Sequence, residues 1–213
     1  ALNIILPVGI SFYSFQKLSY SLDVYHRKTP ACKNSLDFFL YIAFFPQLIV
    51  GPIIRSSQFL PQLKQSIIFK KTSIIDGTNI FLIGFIQKAV FADHLSSFAD
   101  PVFSSISTYS ASTLMLASLT YSGQIFCDFS GYTLMAIGLG KAMGFSIPDN
   151  FNFPYLALNI SDFWRRWHIT LTTWLRDYVY IPLGGNRKGH GRTYLNILVI
   201  MILVGLWHGA SWN

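Results

Sequence analysis

The run Leu195 to Trp212, LNILVIMILVGLWHGASW, carries no Lys, Arg, Asp or Glu. About 18 consecutive apolar residues are enough to cross the hydrocarbon core of a bilayer, so this segment reads as a membrane span. It predicts the fold class: an all-α, polytopic transmembrane helical bundle. Within the run sits His208, an ionisable residue where such groups are expensive to keep. An imidazole shielded from water stays neutral, and a neutral imidazole can take a proton from a hydroxyl.

The composition agrees with a lipid-embedded chain. Hydrophobic residues make up 52% and charged residues only 12% of the 213, against about 25% charged in a soluble domain. The formal net charge is +7, yet the Lys and Arg residues lie between apolar runs rather than on one continuous face. That pattern is a topology signal and argues against nucleic acid. Cys32 and Cys127 have neither framework nor metal-ligand spacing, so both are expected as free thiols.

Ala1 lies inside an apolar segment (LNIILPVGISFYSF), and no charged n-region with a cleavage site precedes it, so this start is not a signal peptide. The reading is a single membrane-embedded domain over 1–213, partial, with helices missing on both sides. Further apolar segments run Leu36 to Ile54, Ile74 to Ala92 and Ala111 to Phe145. The last is too long for a core of roughly 30 Å. It is therefore expected to bend or break, with Gly123, Gly131, Gly138 and Gly140 as candidate points and a kink near Ser130 and Gly131.

Loop charges give an orientation. Arg55 to Lys71 and Asp162 to Arg192 are rich in Lys and Arg and are expected in the cytoplasm, while the loop His94 to Ser110, with no Lys or Arg, belongs on the other side. The connection Lys17 to Asn34 is also basic, which places both flanks of Leu36 to Ile54 on one face. Pro46, Gly51 and Pro52 resolve this if the segment re-enters, its open backbone surrounded by protein.

Over Asp162 to Tyr180 (DFWRRWHITLTTWLRDYVY), the residues Trp164, Trp167, His168, Leu171, Trp174, Leu175 and Tyr178 recur at helical spacing, with Arg165, Arg166 and Arg176 mainly opposite. This predicts an amphipathic helix that lies along the cytoplasmic interface or lines a cavity opening there, with Ser161 as N-cap, Asp162 in the first turn, and Pro182 and Gly184-Gly185 as the stop.

Chemistry narrows to few residues. His208 reads equally as a functional imidazole or as part of an aromatic belt with Trp207 and Trp212. His168, between Trp164 and Thr172, reads as a structural histidine on an aromatic face. Asp128 in QIFCDFSGY requires a partner at membrane depth. Gly138, Gly140 and Gly144 miss the dinucleotide spacing and no strand precedes them, so they allow close helix contact instead. No G-x-S-x-G elbow, H-E-x-x-H or paired i, i+4 histidines occur, and no metal site is expected. The loop GGNRKGHG, Gly184 to Gly191, is a solvated basic turn or a meeting point for an anionic donor.

Several segments together resemble one family. SFYSFQKLSYSLDVYHRK, LYIAFFPQLIVGPIIR with FLPQL, IFCDFSGY with MAIGLG, DFWRRWHITLTTWLRDYVYIPLGGNRKG and GLWHGASW are similar to the membrane-bound O-acyltransferase family. The resemblance is closest to the bacterial alginate O-acetyltransferase-like branch, with the D-alanine-transferring teichoic acid branch more distant. It implies His208, in the W-H-G motif, as the essential catalytic residue and His168, in F-W-x-R-W-H, as the second. Where relatives often read G-Y-S-D-M-A-I-G, Leu134 stands for the acidic residue, and no role of that carboxylate carries over.

The resemblance further implies a multi-pass protein of the bacterial inner membrane with no tightly bound cofactor. A cytoplasmic thioester, acetyl-CoA or an acyl carrier protein, is the expected donor. A polysaccharide or a periplasmic acyl-relay acetyltransferase is the expected acceptor or partner. His208 then acts as general base on the acceptor hydroxyl, and His168 orients the acceptor or stabilises the oxyanion. The competing reading is a transporter or channel subunit in which His208 and Asp128 couple protons. A catalytically silent scaffold is the third.

Overall fold

In the computed structural model of the chain, residues 9–48, 50–65 and 70–209 are described, and these are helical with no strand among them. The beginning of the first apolar segment, before Gly9, and Trp212 of the expected aromatic belt lie outside the described residues. The chain divides into two compact units, Ala1–Phe151 and Asn152–Asn213. Among the described residues, two helices are long and apolar enough to cross a membrane: Lys71–Ser104 and Gly189–His208.

The first unit begins with α1 (Ile10–Tyr25), α2 (Ser35–Ile42), α3 (Phe45–Leu48) and α4 (Ser56–Leu63). Leu36 to Ile54 does not form one helix. It breaks at Ala43 and Phe44, ahead of Pro46, and runs non-helically over 51–55. The open backbone is enclosed by protein, as interruption at membrane depth requires. Tyr41 Oη donates to Ile54 O at 2.9 Å and Gln47 Nε2 donates to Tyr41 O at 3.1 Å. The core there is aromatic: Tyr41, Phe44, Ile54, Phe59, Phe145 and Ile147 are buried together. Phe59 stacks on Phe145 at 5.3 Å, and Phe44 meets Phe59 at 4.8 Å. Gln62 pins the chain beside Phe145 by donating to Ser146 O at 3.1 Å and accepting from Ser146 N–H at 2.8 Å.

The rest of the unit is two long antiparallel rods. One is α5 (Lys71–Ile86), a π-helical segment (Gln87–Ala92) and α6 (Asp93–Ser104), continuous through all three. The other is α7 (Ala111–Ala142). The region His94 to Ser110, expected as a loop, is therefore helical as far as Ser104. Ala99 and Val102, buried on α6, which packs against α7, give that extension its apolar face.

Alpha 7 also departs from expectation, because it is one uninterrupted helix of 32 residues. Its glycines are used for contact. A Cβ on Gly138 would lie 2.5 Å from Gly77 O, and one on Gly84 would lie 2.5 Å from Gly131 O. Two glycines seven positions apart on each rod thus let the backbones touch at two successive levels, the close approach that small residues provide in membranes. Leu134 lies against Gly84 at the same level. Asp76 and Lys141 pair at 3.1 Å beyond the first glycine level. Gly140 instead faces Ile147, and Gly144, at φ +86°, makes the turn after α7.

The second unit holds α8 (Ile160–Arg166), α9 (Ile169–Leu175), a π-helical segment (Arg176–Tyr180) and α10 (Gly189–His208). Asn196 ties α10 to the preceding turn, donating from Nδ2 to Gly185 O at 2.8 Å and to Leu183 O at 3.5 Å. Gly184 (φ +106°) and Gly185 (φ +58°) supply the left-handed conformations that end the preceding segment, where the sequence places the stop.

Candidate active site

The amphipathic segment Asp162 to Tyr180 is two helices, not one. Its N-cap is Asn159, whose Oδ1 accepts from Asp162 N–H at 2.8 Å, and Ser161 lies inside the first turn. Asp162 is in the first turn as expected, and its carboxylate accepts from Arg166 Nε at 3.0 Å, Leu158 N–H at 3.3 Å and Arg165 Nη2 at 3.4 Å. The Arg166 guanidinium, foremost among these, holds the Asp162 carboxyl below the usual carboxylate range.

The break falls on His168, at φ +44° and ψ +54°. A left-handed residue with a Cβ is disfavoured by about 1–2 kcal/mol and persists only where its surroundings fix it. Here the carbonyls that α8 leaves open find other donors: Asn152 N–H gives to Arg166 O at 2.9 Å, and Thr172 Oγ1 gives to Trp167 O at 3.2 Å. Thr172 N–H then donates to His168 O at 2.9 Å and starts α9. Phe163 and Trp167 stack at 5.6 Å, with Tyr155 6.2 Å from Trp167.

His168 is 6% exposed. Burial pushes its imidazole down from the ordinary 6.5 to about 3, and the nearby His208 imidazole acts in the same direction. It is a neutral imidazole across the physiological range. His208 closes α10 with its ring 4.5 Å from Trp207. His208, 40 positions further along the chain, thus weighs against a charge on His168.

Shielding is where the expectation fails. His208 is exposed among the described residues, and the buried imidazole is His168. The cause is geometric: α10 packs on the π-helical segment Arg176–Tyr180, and its only buried residue is Asn196. The basic loop holds Arg187 and Lys188 exposed, with Gly189 at φ +84°. No group of three or more His, Cys, Asp or Glu side chains that could hold a metal occurs among the described residues.

Asp128 has the partner its environment demands. Lys88 Nζ lies 2.6 Å from Asp128 Oδ1 and 2.9 Å from Asp93 Oδ1. Residues five apart do not share a face on an α-helix, but the wider turn of a π-helix brings them round, so the π-helical segment itself creates the Lys88–Asp93 pair. Beside it Ser130 Oγ donates to Gln87 Oε1 at 2.9 Å. A lysine inside Ile74 to Ala92 was the available signal for this pairing.

These features describe an all-helical chain with two helices apolar enough to cross a membrane and a buried histidine within an aromatic, arginine-edged segment. The model of MBOAT, the membrane-bound O-acyltransferase family, matches residues 31–213. The chain is 47% identical to a probable alginate O-acetylase AlgI of Azotobacter vinelandii over 99% of its own length and 42% of the relative's. It is 41% identical to a peptidoglycan O-acetyltransferase of Helicobacter pylori, over 100% of this chain and 45% of that protein. A teichoic acid D-alanyltransferase of Bacillus subtilis is 28% identical over 98% and 55%. The chain belongs to the membrane-bound O-acyltransferase family, and it spans less than half the length of the first two relatives.

Proposed function

We propose that this chain carries the acyl-transfer centre of a multi-pass inner-membrane O-acetyltransferase acting on a cell-surface polysaccharide. His208 is the general base. It takes the proton of the acceptor hydroxyl as that oxygen attacks the thioester carbonyl; the carbon–sulfur bond breaks, and the proton passes to the leaving thiolate. His168, neutral and able to give one N–H or accept one proton donor, positions the hydroxyl or meets the oxyanion. The observation that carries this reading is the buried, neutral His168 within electrostatic reach of His208.

The donor is a thioester approaching from the cytoplasm, acetyl-CoA or an acyl carrier protein, and Arg187 and Lys188 present positive charge toward it. The acceptor is an alginate-like polymer, a wall polymer, or a periplasmic relay acetyltransferase. Membrane attachment is supported by more than the two candidate spans. Leu158 is 92% exposed and Ile160 78% exposed, beside Phe153, Tyr155 and Leu156, and an apolar strip next to Arg165 suits the headgroup level. The fragmented stretch Leu36 to Ile54 fits re-entry on one face. Coupling of protons through Asp128 is disfavoured because that carboxylate is held by Lys88.

The test uses the full-length protein. His208→Ala is expected to abolish acetylation, and His168→Ala to reduce it by about 10²–10³-fold, both with normal membrane insertion. Normal transfer by inserted His208→Ala protein removes the assignment.

A further inference from the structure

We infer that the interior bounded by α1, α3, α4 and α7 is a hydrated compartment that binds neutral hydroxyl groups through Gln16, Gln47, Ser56 and Thr133. The first sign is the polar face that α1 buries. Its three buried residues are Gln16, Ser19 and Asp23, while Leu18 is exposed. A membrane-protein helix that turns its polar face inward is facing a polar interior or a water-filled space.

The second sign is independent. Gln16 Oε1 and Nε2, Gln47 Oε1, Ser56 Oγ and Thr133 Oγ1 are all buried without a hydrogen-bond partner, and their residues are at most 3% exposed. Each orphan of this kind is costly, by about 1–3 kcal/mol, so native interiors hold few. Thr133 makes the point within one helix. Ser118, Thr120 and Ser122 each return their hydroxyl to the carbonyl four positions back, at 2.9 Å; Thr133 has no such bond.

The elements carrying these groups pack on one another: α1 on α3 and α4, and α3 on α7. Gly9, just before α1, is pressed against the Leu48 backbone at the end of α3. Two amides and two hydroxyls offer donors and acceptors with no charge. That set suits water or a sugar hydroxyl, each of which gives and takes hydrogen bonds, and it does not suit an anion. The sugar source rests on the polysaccharide reading above; the water source does not.

The experiment is hydroxyl-radical labelling of the full-length wild-type protein in detergent. Tyr41, fully buried and accepting from Gln47 Nε2, is expected to be oxidised because ordered water stands beside it. An unlabelled Tyr41 overturns the proposal. In parallel, Gln16→Leu is expected to lower the thermal midpoint by several degrees, as hydrogen bonds to the occupant are lost. An unchanged or raised midpoint means a dry interior and also overturns it. Water alone leaves the acceptor KM of Gln16→Leu unchanged; a sugar occupant raises it several-fold, and soluble acceptor oligosaccharide then raises the wild-type midpoint. Acetylation by His208→Ala tests the catalytic reading separately and leaves the labelling result standing.

Discussion

Acid should destabilise this protein through His168. Its imidazole takes up a proton at the ordinary 6.5 in the unfolded chain, but not until about 3 when folded, because burial and then His208 oppose the charge. Between those values the unfolded state binds more protons, so stability is complete above 6.5 and falls as pH drops through the window. Each pH unit is worth about 1.4 kcal/mol, and acidification to about pH 5 therefore costs roughly 2 kcal/mol. For a chain of this length that lowers the unfolding midpoint by roughly 4–8 °C, and by about half as much in a protein twice as long. The assay is thermal unfolding of the full-length protein in detergent from about pH 8 to 5, beside His168→Asn, since asparagine tolerates the left-handed backbone at this position. The wild-type midpoint is expected to fall more steeply than the variant's. Parallel curves would refute the reasoning, since they would mean that His168 titrates alike in both states.

Gly84→Ala places a methyl 2.5 Å from Gly131 O and is expected to destabilise by about 1–3 kcal/mol. Gly205→Ala, inside α10 with nothing within 4 Å, should instead stabilise by up to about 1 kcal/mol in the same thermal melt. In a double-mutant cycle, Lys88→Met and Asp128→Asn should couple by about 1 kcal/mol or more, because either change alone leaves a charge behind; independent effects count against the pair. Asn196→Leu removes the donor shared by Gly185 O and Leu183 O. Protease cleavage within Gly184 to Gly191 should then rise several-fold under conditions that leave the wild type intact.

What could be read in the sequence depended on how locally each feature is encoded. The span ending at His208 follows from apolar composition alone, and the stop at Gly184-Gly185 from residues that favour left-handed turns. Asn159 was legible in principle, since an asparagine three positions before Asp162 is a capping pattern; Ser161 simply stood nearer the aromatic run. The break at His168 carries no Gly or Pro. It exists because Asn152 and Thr172, on either side, satisfy the carbonyls of Arg166 and Trp167, and such tertiary compensation leaves no periodic trace. That Asp128 needs a partner followed from dielectric physics, but naming Lys88 required the antiparallel register of two rods. The same register turns Gly131 from an expected kink into a contact.

A π-helical segment is an α-helix that has absorbed one residue too many. Excising a single residue between Lys88 and Asp93 would let the rod run on in the ordinary α winding, with Lys88 and Asp93 now four positions apart and still on one face. The seam that Ala99 and Val102 make against α7 would keep its place. The same excision in the α-wound part of α5 would instead turn everything downstream by about 100°, so this short stretch is the one place where the rod can shed a residue without losing its angular setting.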